Sequence, residues 1–146
     1  MSGGYLLDVN VLIAAAWPTH VSHEKVQQWL ARHAREGWVT CPITESAFVR
    51  ILSNPAFSPN ALSPADALAL LRSNTGHPSH RFWKDGIPFA EAVEAFGGKV
   101  LGHQQVTDSY LLGLATHNKG KLVTLDRAIL SLFPEKSAGR ERVVVI

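Results

Sequence analysis

The run Leu6-Leu7-Asp8-Val9-Asn10-Val11-Leu12 decides how the rest of the chain is read. Tyr5-Leu6-Leu7 is too short and too evenly apolar for a helix, and it suits a strand buried on both faces of a parallel sheet. Asp8 then stands where this strand gives way to a helix, Val9 to Ala16, which Trp17-Pro18 closes because proline disfavours helical geometry in the residue before it. An acid inside so apolar a stretch calls for an explanation, since charged side chains are rarely embedded among nonpolar neighbours.

Outward from this run, helix and strand signals alternate. Ser22 offers an N-cap, and Val26, Trp29, Leu30 and His33-Ala34 recur at helical steps until Gly37. Trp38-Val39-Thr40-Cys41 reads as a second strand, and Pro42 opens a helix carrying Ala47, Phe48, Ile51 and Leu52 that ends before Pro55. Ser63-Pro64-Ala65-Asp66 combines a capping serine, a proline at the first helical position and an acid in the first turn. Arg81-Phe82-Trp83 reads as a short strand, and Pro88 opens a helix running through Ala92, Val93 and Phe96 to Gly97-Gly98. Thr107 to Thr116 forms a further helix, followed by the Asn118-Lys119-Gly120 turn and the strand Leu122-Val123-Thr124, which ends at Asp126. A short helix from Arg127 to Leu132 and a last strand from Val143 to Ile146 complete an α/β sandwich, a mostly parallel central sheet flanked by helices.

With 146 residues the chain has room for one domain, 1–146, and a domain of that size buries roughly 70% of its unfolded surface without disulfide or metal staples. Hydrophobic residues make up 46% and charged residues 18%, the profile of a folded protein rather than a disordered one. The longest apolar run, Val9 to Trp17, falls short of the ~20 residues that span a bilayer. The start of the chain lacks the basic region and cleavage site of a signal peptide, and the single Cys41 forms no internal disulfide, so the expected location is the cytoplasm. Net charge is only +2, but with four acids gathered in one site the rest of the surface carries 14 basic against 8 acidic residues, or +6. A phosphate polymer is a fitting partner for such a surface.

The four acids are Asp8, Glu45 in Ile-Thr-Glu-Ser-Ala-Phe, Asp108 in Val-Thr-Asp-Ser-Tyr-Leu-Leu, and Asp126 in Val-Thr-Leu-Asp-Arg-Ala-Ile-Leu. Each falls at a strand-to-helix junction or in a first helical turn. Taken singly, each is explained as a helix cap. Taken together they point elsewhere, because the C-terminal ends of parallel strands share one edge of the sheet, where ligands bind. Two carboxylates ~4 Å apart repel by about 4 kcal/mol at an effective dielectric near 20, so a convergent set calls for a cation. Oxygen donors with no nearby cysteine or paired histidine favour Mg²⁺ or Mn²⁺ over zinc. Such a site suits phosphodiester hydrolysis, in which the ions activate an attacking water and steady the leaving oxygen without a protein nucleophile. The chain has no nucleophile elbow, phosphate loop or His-Glu-x-x-His motif.

The opening motif resembles that of PIN domains, in which an apolar strand delivers the first metal-binding aspartate. Gly102-His103-Gln104-Gln105-Val106-Thr107-Asp108-Ser109-Tyr110-Leu111-Leu112 is similar to a stretch found in one subgroup of VapC toxins, and Leu122-Val123-Thr124-Leu125-Asp126 resembles the family's closing acidic motif. The resemblance spans nearly the whole chain. It implies a PIN-like three-layer sandwich and a Mg²⁺- or Mn²⁺-dependent endoribonuclease that acts on structured RNA such as tRNA or rRNA. A VapB-type antitoxin as inhibitor and a homodimer are implied as well. By position, Asp8, Glu45, Asp108 and Asp126 take the family's acidic roles: Asp8 and Asp108 as direct ligands, Glu45 as a ligand or the orienter of a bound water, and Asp126 through water. Asn10 and Thr107 are candidates to hold those ligands in place, with helix-start capping as their alternative.

Among other residues, His103 is read as a loop anchor, with an RNA-phosphate contact or proton donation as its alternative, Trp29 as core rather than a base-stacking platform, and Arg50 as an ordinary solvated arginine, with reach to a phosphate as its alternative. His77 and His80 receive no catalytic task, and Asp66 and Asp85 are left out of the site. Lys119, Lys121, Arg127, Arg140 and Arg142 are candidates for contacts to the RNA backbone, which position a substrate without reading its sequence. Three other readings compete. A phosphoaspartate phosphatase needs a second acid two positions after the first, where Asn10 stands. A receiver-like Mg²⁺ module needs adjacent acids near the first strand, and Tyr5 to Asn10 contains only Asp8. A PIN fold kept for partner binding alone predicts a lost acid, and none of the four is missing.

Overall fold

Successive residues of a strand point to opposite faces, and in β1 (Tyr5–Leu7), the middle strand of the sheet, that alternation separates two cores. Leu6 packs with Val39, Leu122 and Leu112 on one face, while Leu7 packs with Val11, Val26, Phe48 and Val123 on the other. The structure, a computed structural model, describes residues 3–96, 102–133 and 138–146.

β2 (Trp38–Thr40), β3 (His80–Phe82), β4 (Lys121–Thr124) and β5 (Val143–Val145) complete a five-stranded sheet of order β3-β2-β1-β4-β5, parallel throughout. A parallel sheet needs cover on both faces. The Leu7 face receives α1 (Val9–Ala16), α2 (His23–His33), α3 (Pro42–Leu52) and α4 (Pro64–Thr75), which supply Val11, Val26, Phe48 and Leu71 to its core. The Leu6 face receives α5 (Phe89–Ala92) and α6 (Val106–His117). This is the three-layer α/β sandwich expected from the sequence. Among the described residues no helix is long and apolar enough to cross a membrane.

Local chemistry fixes the element ends. Ser63 Oγ accepts the Asp66 N–H at 3.0 Å with Pro64 in the first turn, a cap that contributes about 1 kcal/mol. Ser22 stands at the start of α2 but makes no side-chain cap bond. The helix expected after Pro88 is one α-turn continued by a 3₁₀ turn at Glu94–Phe96, and its expected stop at Gly97-Gly98 lies outside the described residues. Arg127–Leu132 is likewise 3₁₀ rather than α, and β3 begins one residue earlier than expected. α6 is buried from Ser109 through Ala115, and Gly113 makes that depth possible: a Cβ there would overlap the backbone carbonyl of Ala92. Trp29 stacks on His33 at 4.4 Å and meets Tyr5 edge-on at 5.0 Å, packed against the core as the sequence suggests.

Candidate active site

The β1–β4 ladder continues one residue past β1, where the Asp8 N–H donates to the Val123 carbonyl at 2.9 Å. That bond carries Asp8 to the C-terminal end of β4. The chain then turns into α1 with Asp8 as N-cap, its Oδ1 accepting the Val9 N–H at 2.7 Å. Its Oδ2 accepts the Thr124 hydroxyl at 2.9 Å. Thr124 Oγ1 in turn accepts from Asn10 Nδ2 at 3.2 Å and from the Asp126 N–H at 3.1 Å. Asn10 closes the web by accepting the Leu125 N–H at 3.2 Å. Asp126 caps the following turn through its Oδ1, which accepts the Ala128 N–H at 2.9 Å. A tripeptide at the end of β4 is thus stitched to the first turn of α1, and the Asp8 carboxylate is held at a fixed angle.

Asp108 approaches from the opposite layer, in the first turn of α6. It and Asp8 line one groove of about 520 Å³, with Thr107 beside them and Ile43, Ser46, Ala47 and Arg50 of α3 contributing further lining. The carboxyls feel one another. Burial raises Asp8 above the usual carboxylate range; its bonds to Thr124 and Val9 oppose this, and the charge of Asp126 adds to it. Asp108 is pushed up to about 6, first by burial and then by the charges of Asp8 and Asp126. Such mutual repulsion is relieved by a cation. Among the described residues no three carboxylate, imidazole or thiol groups converge closely enough to enclose an ion. Mg²⁺ does not require that, since it is commonly held by one or two carboxylates while keeping waters and substrate phosphates as its other ligands. Asp8 and Asp108 on an open groove fit such an ion.

Of the four acids singled out in the sequence, the structure gathers Asp8, Asp108 and Asp126. Asn10 bonds Thr124 and the Leu125 N–H rather than a carboxylate directly, and Thr107 is exposed on the groove beside Asp108. Glu45 is not brought to this group. It lies in the first turn of α3, at the same end of the sheet, but its Oε2 accepts the Thr40 hydroxyl at 2.6 Å, and Thr40 Oγ1 also meets His80 Nε2 at 2.7 Å. Burial lowers the pKa of His80 while the charge of Glu45 opposes that shift, which places this acid beside the imidazole.

Sequence reasoning passed over Thr124, although a polar β-branched residue two positions before Asp126 at the end of an apolar strand was a readable signal. It also set aside Arg50, which lines the groove. Asp85 follows β3 and, after burial, is the next cause of a raised Tyr110 hydroxyl at about 12, but it does not line the groove. The late cations do not act together. Lys121 begins β4 opposite Tyr5, Lys119 lines a small cleft with Gly4 and Glu36, and Arg142 donates to the Gly120 carbonyl at 3.3 Å. These three stand at the N-terminal edge of the sheet, a strand's length from the aspartates. Arg140 is turned toward the Leu130 carbonyl at 3.5 Å. Arg127, next to Asp126, is the member of this set at the acidic end.

The PIN domain family model matches residues 5–133, from the first strand through both acidic turns of the groove. The chain belongs to the PIN-domain family. Among its PIN-domain relatives, Ribonuclease VapC39 of Mycobacterium tuberculosis is 43% identical over 124 residues, covering 85% of this chain and 89% of that protein. Ribonuclease VapC38 of the same organism is 37% identical over 131 residues, covering 90% and 91%. A solved structure with the same PIN fold, VapBC2 from Rickettsia felis bound to a DNA fragment from its promoter, aligns with TM-score 0.57 over 89% of this chain and 92% of the other, at 14% identity.

Proposed function

We propose that this PIN domain is a divalent-metal-dependent endoribonuclease, a VapC-type toxin that cleaves structured RNA such as tRNA or rRNA in the cytoplasm. In this reading a VapB-type antitoxin restrains it and the working form is a homodimer. The observation that carries the nuclease reading is the pair Asp8 and Asp108, delivered from opposite layers to one open groove, both raised in pKa by burial first and by the charge of Asp126 besides. Relatives named ribonucleases supply the polymer, and the VapBC2 complex supplies the kind of partner.

Asp8 and Asp108 hold the ion, taken to be Mg²⁺ with Mn²⁺ as substitute, and Asp126 acts from the exposed rim through water. When bound, the ion activates a water for attack on the phosphodiester and stabilises charge on the leaving oxygen. Thr124 and Asn10 fix the angle of Asp8, and Thr107 faces the substrate side of Asp108. Protein stripped with a chelator is expected to leave total RNA intact and to cut it again on addition of Mg²⁺ or Mn²⁺. Cleavage that persists in excess chelator, in protein shown to be free of metal, would sink the reading.

The web around Thr124 makes a finer forecast. Thr124→Val removes the donor to Asp8 and the acceptor for Asn10, and should cost about 10–100-fold in cleavage rate or metal affinity. Thr124→Ser, which keeps the hydroxyl, should recover most of it. Equal losses in the two variants, read by initial rates and Mn²⁺ titration, would assign Thr124 to packing alone.

A further inference from the structure

At about 100° per residue, Ile43, Ser46, Ala47 and Arg50 share one side of α3, and all four line the groove with Asp8 and Asp108. Glu45 projects from the other side. A carboxylate only accepts, so the Thr40 hydroxyl donates to Glu45, and His80 Nε2 lies against the same Thr40 oxygen. Thr40 is completely buried, which keeps this chain of bonds from swinging toward the groove. The helix therefore turns its acid away from the aspartates and its cation toward them.

An RNA strand reaching these carboxylates brings a phosphate with every nucleotide, and the aspartates repel each one. Arg50 is exposed, makes no ion pair with a described residue, and is the cation among the described residues lining the groove. A guanidinium grips a phosphate through two parallel N–H bonds, and Ser46, four residues earlier on the same side, adds a hydroxyl donor. We propose that Arg50, assisted by Ser46, holds an RNA phosphate next to the scissile bond, so that α3 gives the groove a substrate anchor rather than a metal ligand. The proposal rests on reading the groove as the RNA-cleaving site.

The test is binding of a fluorescein-labelled RNA hairpin in EDTA over a range of salt concentrations, which needs no turnover. Arg50→Ala should weaken affinity about tenfold and lower the slope of log K against log salt by about one. Arg50→Lys keeps the charge, so it should restore the slope while affinity recovers only in part. Lys121→Ala, at the opposite edge of the sheet, should leave the slope where it was. A wild-type slope in Arg50→Ala, or an equal drop in Lys121→Ala, overturns the proposal. Cleavage by Asp8→Asn in Mn²⁺ is measured alongside: unimpaired cutting there defeats the reading of this groove as the cleaving site, whereas dead Asp8→Asn with unaltered binding in Arg50→Ala defeats only the anchor.

Discussion

Asp8→Asn is expected to lower RNA cleavage by about a thousandfold or more while leaving the fold in place. The amide keeps the cap on α1, because asparagine serves there as well as aspartate and its oxygen still accepts the Val9 N–H. The amide nitrogen replaces the oxygen that accepts from Thr124, so that one bond is lost. What disappears with it is the charge that holds the ion, and an ion that contributes about 4 kcal/mol to the barrier accounts for a factor near a thousand. The metal-free variant should melt no lower than the wild type at neutral pH, since a buried carboxyl raised above its usual range is an ionised group the fold would rather not contain. Initial rates at saturating Mn²⁺ and thermal melts of the stripped proteins decide both points. A variant that cuts RNA at more than a tenth of the wild-type rate would remove Asp8 from the reaction.

The second large effect is on metal affinity as a function of pH. Asp108 is pushed up to about 6, so below that pH an incoming cation must displace a proton, and apparent Mn²⁺ affinity should fall by about tenfold for each further pH unit. Asp108→Asn should bind Mn²⁺ weakly and show a flatter pH dependence. The same shift sets the stability of the metal-free protein. An acid whose folded pKa exceeds its unfolded one binds more protons when folded, so stability declines as pH rises from the ordinary carboxylate range to about 6 and is level beyond it. Saturating Mn²⁺ should abolish that decline. Calorimetric titration at several pH values gives the affinity; a binding constant that stays the same from pH 5 to pH 7 would contradict the assignment of Asp108 as a ligand.

The two sheet-edge aspartates at Asp8 and Asp126 were legible because an acid at the end of an apolar strand has few other uses, and Asp108 because it opens a long apolar helix. The orientation of Glu45 was not. α3 carries two apolar tracks, Ile43-Ala47-Ile51 and Thr44-Phe48-Leu52, and the sequence does not say which packs into the core. The structure buries Thr44, Phe48 and Leu52, which turns Ile43 and Ala47 to the groove and leaves Glu45 facing Thr40. Arg50 was weighed for a phosphate contact and read as a solvated arginine for the same reason, since its side of the helix depends on that choice. The late cations misled because proximity along the chain says nothing about which end of a strand a residue occupies. β4 runs between Lys121 and Thr124, and its length separates the lysine from the acids.

The bond between Asp8 and Thr124 joins positions 116 residues apart. A ribosome translating this chain exposes the first aspartate long before the threonine that orients it exists, and Asp108 too is made late. No nascent chain that stops short of β4 can therefore bring the bond between Asp8 and Thr124 together, and the proposed cutting centre is complete only after the β4 segment has emerged and docked beside β1.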